Sequence, residues 1–310
     1  MVWMAKIMIL LLLATGALIY IREQISNLMA DHYYRYMKVA DNQSDFFRIF
    51  ELYDYIKELN IHDDYYDRQA ALMISDFIEQ AGSENYKEFG LKQIKGSLEE
   101  MTRSIRFQDI YARTQVYTSL ADKNNKNFFD LAEENYSILI QESPERPKHY
   151  TGYARMLAKK GEYQNALRNY DQALKYLPSL ENPYLNKDHT SVVEFRRYKI
   201  RKGQANIYLA VEEYQKAEKY YRKAYDLRPS AISLYKKIAD TYYKRGELDK
   251  AIHYNKKGYL LSPKDSSWPF SIALLYHKKG EAEKALMYGK QAQKLAPKDQ
   301  KIKKFLKKLK

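Results

Sequence analysis

Histidine, cysteine and paired carboxylates are the side chains best suited to catalysis or metal binding, and this sequence places them in no recognisable catalytic arrangement. Cysteine is absent, which excludes disulfides, thiolate metal sites and cysteine nucleophiles. The six histidines form no H-E-x-x-H motif and no pair at metal-ligand spacing; they lie at positions 32, 62, 149, 189, 253 and 277. We therefore expect no metal site.

Neighbouring acidic residues are the remaining candidates for acid–base chemistry. They occur as Asp63-Asp64, Glu99-Glu100 and Glu212-Glu213, and such pairs are more typical of solvated helix faces or turns. The sequence has no glycine-rich phosphate loop of the G-x-G-x-x-G or G-x-x-x-x-G-K type. These observations predict no catalytic residue, no cofactor and no enzymatic activity.

The charge distribution points to binding instead. The formal net charge is +14, but residues 1–110 hold 12 Lys and Arg against 17 Asp and Glu, whereas residues 111–310 hold 41 against 22. A basic surface favours acidic peptides, anionic glycans, nucleic acid or anionic lipid headgroups. Nucleic acid is disfavoured as a partner because no recognition module accompanies the charge.

An apolar segment of membrane-spanning length lies at the N-terminus. Residues 2–21 read VWMAKIMILLLLATGALIYI and carry one charge, at Lys6. As a helix they reach about 30 Å, the thickness of the hydrocarbon layer. A single-pass anchor is the favoured interpretation, and a signal peptide cleaved at Thr15-x-Ala17 or a buried helix are the alternatives. The cationic residues that follow weakly favour a cytoplasmic C-terminal part. The membrane face stays open, and we expect a bacterial cell envelope.

A 34-residue repeat is the strongest signal in the sequence. The segments that open at Ala251 and Ala285 align residue by residue, and Ala217 lies one period upstream. A further copy opens at Ala166, one period plus 17 residues earlier, and a proline ends each copy, at 178, 229, 263 and 297. Each copy holds two amphipathic helical patterns. Turn glycines at 161, 246 and 280 separate them, as expected where glycine ends a helix in the left-handed conformation.

These features together resemble the tetratricopeptide repeat, which has a 34-residue period, small residues at helix contacts and a terminal proline. The resemblance covers residues 147–180 and 198–299. It implies an all-α fold, namely a right-handed superhelix (α-solenoid) of stacked helical hairpins, here preceded by one N-terminal transmembrane helix. Glu212 departs from the pattern at the turn glycine, and Asn255 and Gly289 depart from it at an aromatic column.

The repeat columns also set the expected domain boundaries. We assign 1–21 to the anchor or signal peptide, 22–109 to a divergent helical region, 110–146 to a degenerate repeat, 147–180 to a repeat, 181–197 to an insertion, 198–231, 232–265 and 266–299 to three repeats, and 300–310 to a basic capping helix. Ser191 and Glu194 form a predicted capping box where the insertion becomes helical. Membrane or nucleic-acid binding is the alternative role of the basic tail. Lys256 is expected to be exposed and replaceable.

The first helices of the hairpins are expected to line a concave groove. Counting along each helix face places ten residues on that wall: Lys148, Arg155, Lys199, Lys202, Asn206, Lys236, Lys237, Tyr243, Phe270 and His277. The groove is therefore predicted to be basic. Lys202 and Asn206 resemble the Lys–Asn pair with which chaperone-binding relatives hold a terminal carboxylate, although Lys237 stands where that clamp has a second Asn. A solvated basic face without a ligand is the alternative interpretation.

The combined prediction is a membrane-anchored, non-catalytic scaffold that binds a protein or peptide partner of acidic character. Its oligomeric state is not specified by the sequence. An alternative is an accessory or detached C-terminal domain of an envelope-polysaccharide enzyme. An apolar segment followed by irregular helices and then repeats resembles the arrangement in O-antigen ligase-like membrane proteins.

Overall fold

The chain folds into α-helices joined by short connections. The computed structural model describes residues 2–42, 45–59, 64–81, 84–122, 124–182, 184 and 186–309, and it describes only the backbone of some helical residues, among them 2–14 and 16–18. Within these ranges every regular element is helical. The helices form two compact units, which divide between Pro144 and Glu145.

The described residues of unit 1 form six helices: α1 (Val2–Asn42), α2 (Phe46–Glu58), α3 (Asp64–Ala81), α4 (Glu84–Arg103), α5 (Phe107–Leu120) and α6 (Asn127–Glu142). Helix α1 packs on α2, α3 packs on α4 and α5, and α5 forms a hairpin with α6. Buried Asp109 joins these helices, since its carboxylate accepts hydrogen bonds from Arg68 (3.1 Å) and Arg106 (2.7 Å). These bonds and one from Ser104 lower the pKa of Asp109 against the opposing effect of burial, so the carboxylate stays charged inside the unit.

The predicted membrane anchor, residues 2–21, forms the first half of α1. Most side chains of this segment lie outside the described residues. Among the residues that are described, no helix combines the length and the apolar character needed to cross a membrane. The anchor therefore stays a prediction from the sequence.

Where the structure describes unit 2, its helices form four hairpins and a final helix. The hairpins are α7 (Pro147–Lys160) with α8 (Tyr163–Lys175), α9 (Lys187–Ala210) with α10 (Tyr214–Leu227), α11 (Ile232–Lys244) with α12 (Leu248–Leu261), and α13 (Ser267–Lys278) with α14 (Ala282–Leu295); helix α15 (Gln300–Lys308) ends the unit. Each hairpin packs on the next along the chain. The alanines that open the repeated segments are completely buried, namely Ala166, Ala217, Ala251 and Ala285. A larger side chain at these positions would not fit between the close-packed helices.

Pairs of tyrosine rings, stacked in two cases and tilted in the first, connect the two helices within three successive hairpins. The pairs are Tyr208–Tyr220, Tyr242–Tyr254 and Tyr276–Tyr288, with ring centroids 5.1, 5.5 and 5.6 Å apart. A lysine of the same repeat column lies over the first ring of each pair, since Lys216, Lys250 and Lys284 lie 5.4, 5.3 and 5.3 Å from the ring centroids. Much of the high tyrosine content therefore has a structural role in helix packing.

Lys256 differs from the expectation that it is exposed and replaceable. Its side chain is half-buried, and its ammonium lies 5.6 Å from the ring of Tyr276 and 5.7 Å from that of Tyr288. A hydrogen bond to Tyr276 raises the pKa of Lys256. The residue thus bridges two successive hairpins, so it is unsuitable as a neutral control for mutagenesis.

Helix α9 begins earlier than the predicted capping box. Its N-cap is Asn186, whose side chain accepts a hydrogen bond from the backbone N–H of His189 at 2.9 Å. Ser191 and Glu194 lie inside the helix, so the predicted cap is wrong. An asparagine at the N-cap serves as well as a serine, because either side chain can satisfy an N–H of the first turn that has no helical partner.

Candidate functional site

The candidate site is the exposed surface that α9, α11 and α13 present in matching repeat columns, which we call the first-helix face. It comprises Lys199, Lys202 and Asn206 of α9, Lys236, Lys237, Asp240 and Tyr243 of α11, and Phe270, Leu274 and His277 of α13. Repeat spacing places these residues on equivalent turns, since Asn206, Asp240 and Leu274 are each 34 residues apart. Seven of the eight site residues predicted on these three helices are exposed or half-buried basic or polar side chains, and the eighth is half-buried Phe270.

Asn206 is held in one orientation by a buried tyrosine. The hydroxyl of Tyr221, on α10, donates to Oδ1 of Asn206 at 2.6 Å, and Tyr221 is completely buried. Because the carbonyl oxygen is engaged, the amide Nδ2 of Asn206 is the group left to donate to a ligand. Lys202 lies one helical turn before Asn206 on the same face.

Asp240 brings a negative charge to the middle of this face. Partial desolvation of the carboxyl raises the pKa of Asp240. The positive charges of Lys236, Lys237 and Lys244 offset part of that rise. Its side chain is nevertheless exposed, so water reaches the carboxyl. The charge of Asp240 also contributes to the raised pKa of Tyr221, after burial as the larger cause. Tyr221 thus hydrogen-bonds to Asn206 of α9 and lies within the electrostatic influence of Asp240 of α11.

The end of the first-helix face is shared with the last helix of the chain. Phe270 and His277 both contact Phe305 of α15, with ring centroids 5.6 and 5.7 Å apart in edge-to-face geometry. Tyr243 lies beneath the ammonium of Lys278, 4.2 Å from its ring centroid. Leu274 remains 43% exposed between these contacts, so α13 adds an apolar side chain to the face beside the polar His277.

The two predicted residues on α7 lie in a more enclosed environment. Lys148 and Arg155 are half-buried. Burial lowers the pKa of Lys148, and the charges of Arg146 and Arg196 lower it further. The pKa of buried His149 is lowered for the same reasons. Burial and the charges of Lys148 and Arg146 bring it to about 4. Positive charge is thus concentrated where α7 and α9 approach each other.

Sequence reasoning missed Asp240 and Leu274. Both lie in the column of Asn206, one and two periods later, so the 34-residue spacing alone was sufficient to find them.

The arrangement of histidine and acidic side chains bears on metal binding. Over the ranges that the structure describes, no group of three or more histidine or acidic side chains is arranged to hold a metal ion.

Comparison with known proteins agrees with this architecture. Models of the tetratricopeptide repeat match residues 125–179, 202–265 and 270–299. The chain contains tetratricopeptide repeats. The repeats form an all-helical solenoid in which each hairpin packs on its neighbour, and proteins built from such repeats bind other proteins or peptides. No curated protein shows significant sequence similarity to the chain.

Solved structures with tetratricopeptide repeats share the fold at low sequence identity. PilW, a widely conserved type IV pilus biogenesis factor, is 18% identical with a TM-score of 0.54, and the match covers 75% of this chain and 98% of PilW. A tetratricopeptide repeat protein from Parabacteroides merdae ATCC 43184 is 15% identical with a TM-score of 0.50, covering 91% of this chain and 98% of that one. Identities this low establish the fold alone.

Proposed function

We propose that this protein is a membrane-anchored scaffold that binds an acidic segment of a partner protein on its first-helix face and catalyses no reaction itself. The observation that carries this proposal is the hydrogen bond that the Tyr221 hydroxyl donates to Oδ1 of Asn206 at 2.6 Å, which orients the Asn206 amide and leaves its Nδ2 to donate to a ligand. Lys202 precedes it on α9, and Lys236 and Lys237 follow on α11. A fixed donor among three ammonium groups suits a carboxylate, because charge-assisted hydrogen bonds to carboxylates are the stronger ones.

Asp240 determines which acidic segment fits. A carboxylate at the centre of the face repels a ligand with uniform negative charge, so the preferred partner has acidic groups that reach the lysines on either side of it. Leu274 adds an apolar contact at the α13 end. The first-helix face therefore suits a peptide of mixed acidic and apolar character more than a polyanion such as nucleic acid.

Charge reversal on the first-helix face tests this proposal. We expect Lys202→Glu with Lys236→Glu to weaken capture of the partner at least tenfold, because two favourable contacts become repulsive. The matched control is Lys219→Glu with Lys290→Glu, since these exposed lysines lie on second helices and the net charge changes by the same amount. Affinity capture from the native membrane, with partners identified by mass spectrometry, provides the measurement. An equal loss in both variants would show diffuse electrostatic attraction and contradict the site.

The anchor has its own test. Residues 2–21 contain a single charge and are long enough to span the hydrocarbon layer as a helix. We expect a chain that lacks residues 1–21 to move from the membrane fraction to the supernatant, because burial of this segment supplies the membrane affinity. Fractionation in the native host, in which we propose a bacterial envelope location, measures this. Retention of the truncated chain through a high-salt wash would contradict a single anchor.

A further inference from the structure

Helix α9 is much longer than the other first helices of unit 2. It contains 24 residues, whereas α7, α11 and α13 contain 14, 13 and 12. The additional turns, residues 187–197, precede the repeat that begins at 198, so they are no part of the repeat pattern. We call them the α9 extension.

The α9 extension is fixed to the hairpin that precedes it. Val193 is 5% exposed and Ile200, just beyond the extension, is completely buried, so one side of the helix packs inward. Arg197 on that side donates a hydrogen bond from its guanidinium to the carbonyl of Pro178, at 2.9 Å. The orientation of the extension is thereby determined, as is the opposite side that it presents to solvent.

The exposed side of the extension continues the first-helix face. Five residues follow one another at alternating intervals of three and four, which places them in one stripe along α9: Val192, Phe195, Lys199, Lys202 and Asn206. Val192 is 46% exposed and Phe195 is 37% exposed. The stripe therefore begins with apolar surface and ends with the polar groups of the proposed binding site.

Cations border the apolar end of this stripe. The ring of Phe195 stacks on that of Tyr198 with centroids 6.1 Å apart. The guanidinium of Arg228 lies 4.9 Å from the Phe195 ring and 6.0 Å from the Tyr198 ring, and the ammonium of Lys199 lies 4.7 Å from Phe195. An apolar partner side chain that contacts Phe195 is therefore surrounded by positive charge, which favours acidic residues beside it.

We propose that the α9 extension is an apolar subsite, and that the partner segment carries an apolar side chain about five residues from an acidic one. The spacing follows from the helix, since Asn206 lies eleven positions after Phe195, which corresponds to about 16 Å along the helix axis. An extended peptide advances about 3.3 Å per residue and covers this distance in about five residues. This inference rests on the proposed function, because Asn206 and its neighbouring lysines supply the acidic end of the same site.

Synthetic peptides with blocked ends test the subsite on the full-length protein. The probes are Asp-Asp-Gly-Ser-Gly-Ser-Phe and its reversed sequence, because the direction of binding is open. Two comparison peptides replace Phe with Ser or place Phe two residues from the nearer Asp. Fluorescence anisotropy of labelled peptides measures binding to the wild type, to Val192→Ser/Phe195→Ser, and to the control Leu260→Ser, whose side chain is 80% exposed on the second helix α12.

We expect one orientation of the spaced Phe peptide to bind the wild type about tenfold more tightly than both comparison peptides, as is typical of an aromatic anchor. The Val192→Ser/Phe195→Ser variant should lose this preference and still bind the Ser peptide as the wild type does, whereas Leu260→Ser should retain it. Equal binding of the three kinds of peptide, or an unchanged preference in the double variant, would overturn the subsite.

Charge reversal separates this inference from the proposed function. If Lys202→Glu/Lys236→Glu weakens binding of every peptide while the Phe preference is absent, the proposed function stands and the subsite is wrong. If the reversal changes nothing and no peptide binds, both are wrong. Thermal unfolding of each variant, followed by circular dichroism, verifies that the helices of unit 2 remain intact.

Discussion

The turns between paired helices of unit 2 each contain one residue in the left-handed backbone conformation, which is unfavourable for residues other than glycine. Gly161, Gly246 and Gly280 end their helices with φ angles of 92°, 79° and 80°, in the left-handed region. Glu212 occupies the same place in the second hairpin and adopts φ 60°. A side chain with a β-carbon is disfavoured there by about 1–2 kcal/mol, since the β-carbon approaches the following carbonyl oxygen.

Replacing Glu212 by glycine should therefore stabilise unit 2. We expect Glu212→Gly to raise the free energy of unfolding by about 1 kcal/mol, because the left-handed conformation no longer strains a side chain. The reciprocal change Gly246→Ala should lower it by a similar amount, and its new β-carbon would meet no atom within 4 Å. Urea denaturation measures both effects. A loss of stability in Glu212→Gly would show that the glutamate side chain contributes more than its backbone costs.

Several features at this scale could be inferred from the sequence, and others could not. The turn glycines and buried alanines were predictable because each recurs in a fixed column, and Glu212 was recognisable as the exception. Lys256 was misjudged, since its contacts with Tyr276 and Tyr288 join two repeats and do not appear in the helical pattern of one. The hydrogen bond from Tyr221 to Asn206 was likewise hidden, because it depends on the depth to which a second-helix side chain reaches.

Successive hairpins are held together by close contacts that exclude a β-carbon. A β-carbon on Gly258 of α12 would lie 2.4 Å from two atoms of the Trp268 ring on α13. Trp268 is 3% exposed, so surrounding side chains prevent the ring from moving aside. The absence of a side chain at this position thus sets the distance between the third and fourth hairpins.

Gly258→Ala should consequently destabilise the protein. We expect a loss of about 1–3 kcal/mol from overpacking, although alanine favours helices more than glycine does. Gly96→Ala is the matched control, because Gly96 lies within α4 and a β-carbon there meets no atom within 4 Å. That variant should gain about 0.5–1 kcal/mol. Equal changes of the two variants in chemical denaturation would contradict the packing explanation.

The boundaries and packing partners of the helices were predictable to different degrees along the chain. In residues 198–299 the unbroken period determines each hairpin, because every helix must present the same small residues to its partner. Before residue 147 the columns fade, and the contact of α3 with α5 joins helices that are not consecutive. The early start of α9 was missed because Asn186 lies in an insertion, where no repeat column marks a cap.

At the scale of the whole molecule, the two units carry opposite charge. Residues 1–144 hold 15 Lys and Arg against 22 Asp and Glu, and residues 145–310 hold 38 against 17. Long-range attraction of an acidic partner therefore comes from unit 2, and such attraction weakens as salt is added. The total charge of +14 conceals this difference, which appears when the composition is divided at the structural boundary.

Helix α15 covers the last hairpin of unit 2. It buries Ile302, Phe305 and Leu306, and Leu306 fills the space that Gly289 leaves on α14. Its lysines remain on the other side of the helix, in contact with water. The final hairpin is thereby separated from solvent on its open side.

Deletion of residues 300–310 should therefore expose the face of α13 and α14 that α15 covers. We expect the shortened protein to form larger species as its concentration rises, because the uncovered apolar surface gains by burial against another molecule. Analytical ultracentrifugation measures this. The control Lys307→Ser/Lys308→Ser alters charge and keeps the buried residues, so it should sediment as the wild type does. A shortened chain that also does so would contradict this role of α15.

The hairpins of unit 2 repeat one packing arrangement, in which each hairpin packs on the next along the chain. Helix α15 packs on the last of them in place of a further hairpin. Each hairpin presents to its successor the same kind of surface that it receives from its predecessor, so an uncapped end is a template for further addition. Contacts between two different surfaces are heterologous, and they build a ring when the rotation between molecules closes and an open filament when it does not. With its buried Ile302, Phe305 and Leu306, α15 covers the apolar surface at this end of unit 2 that such a contact would need.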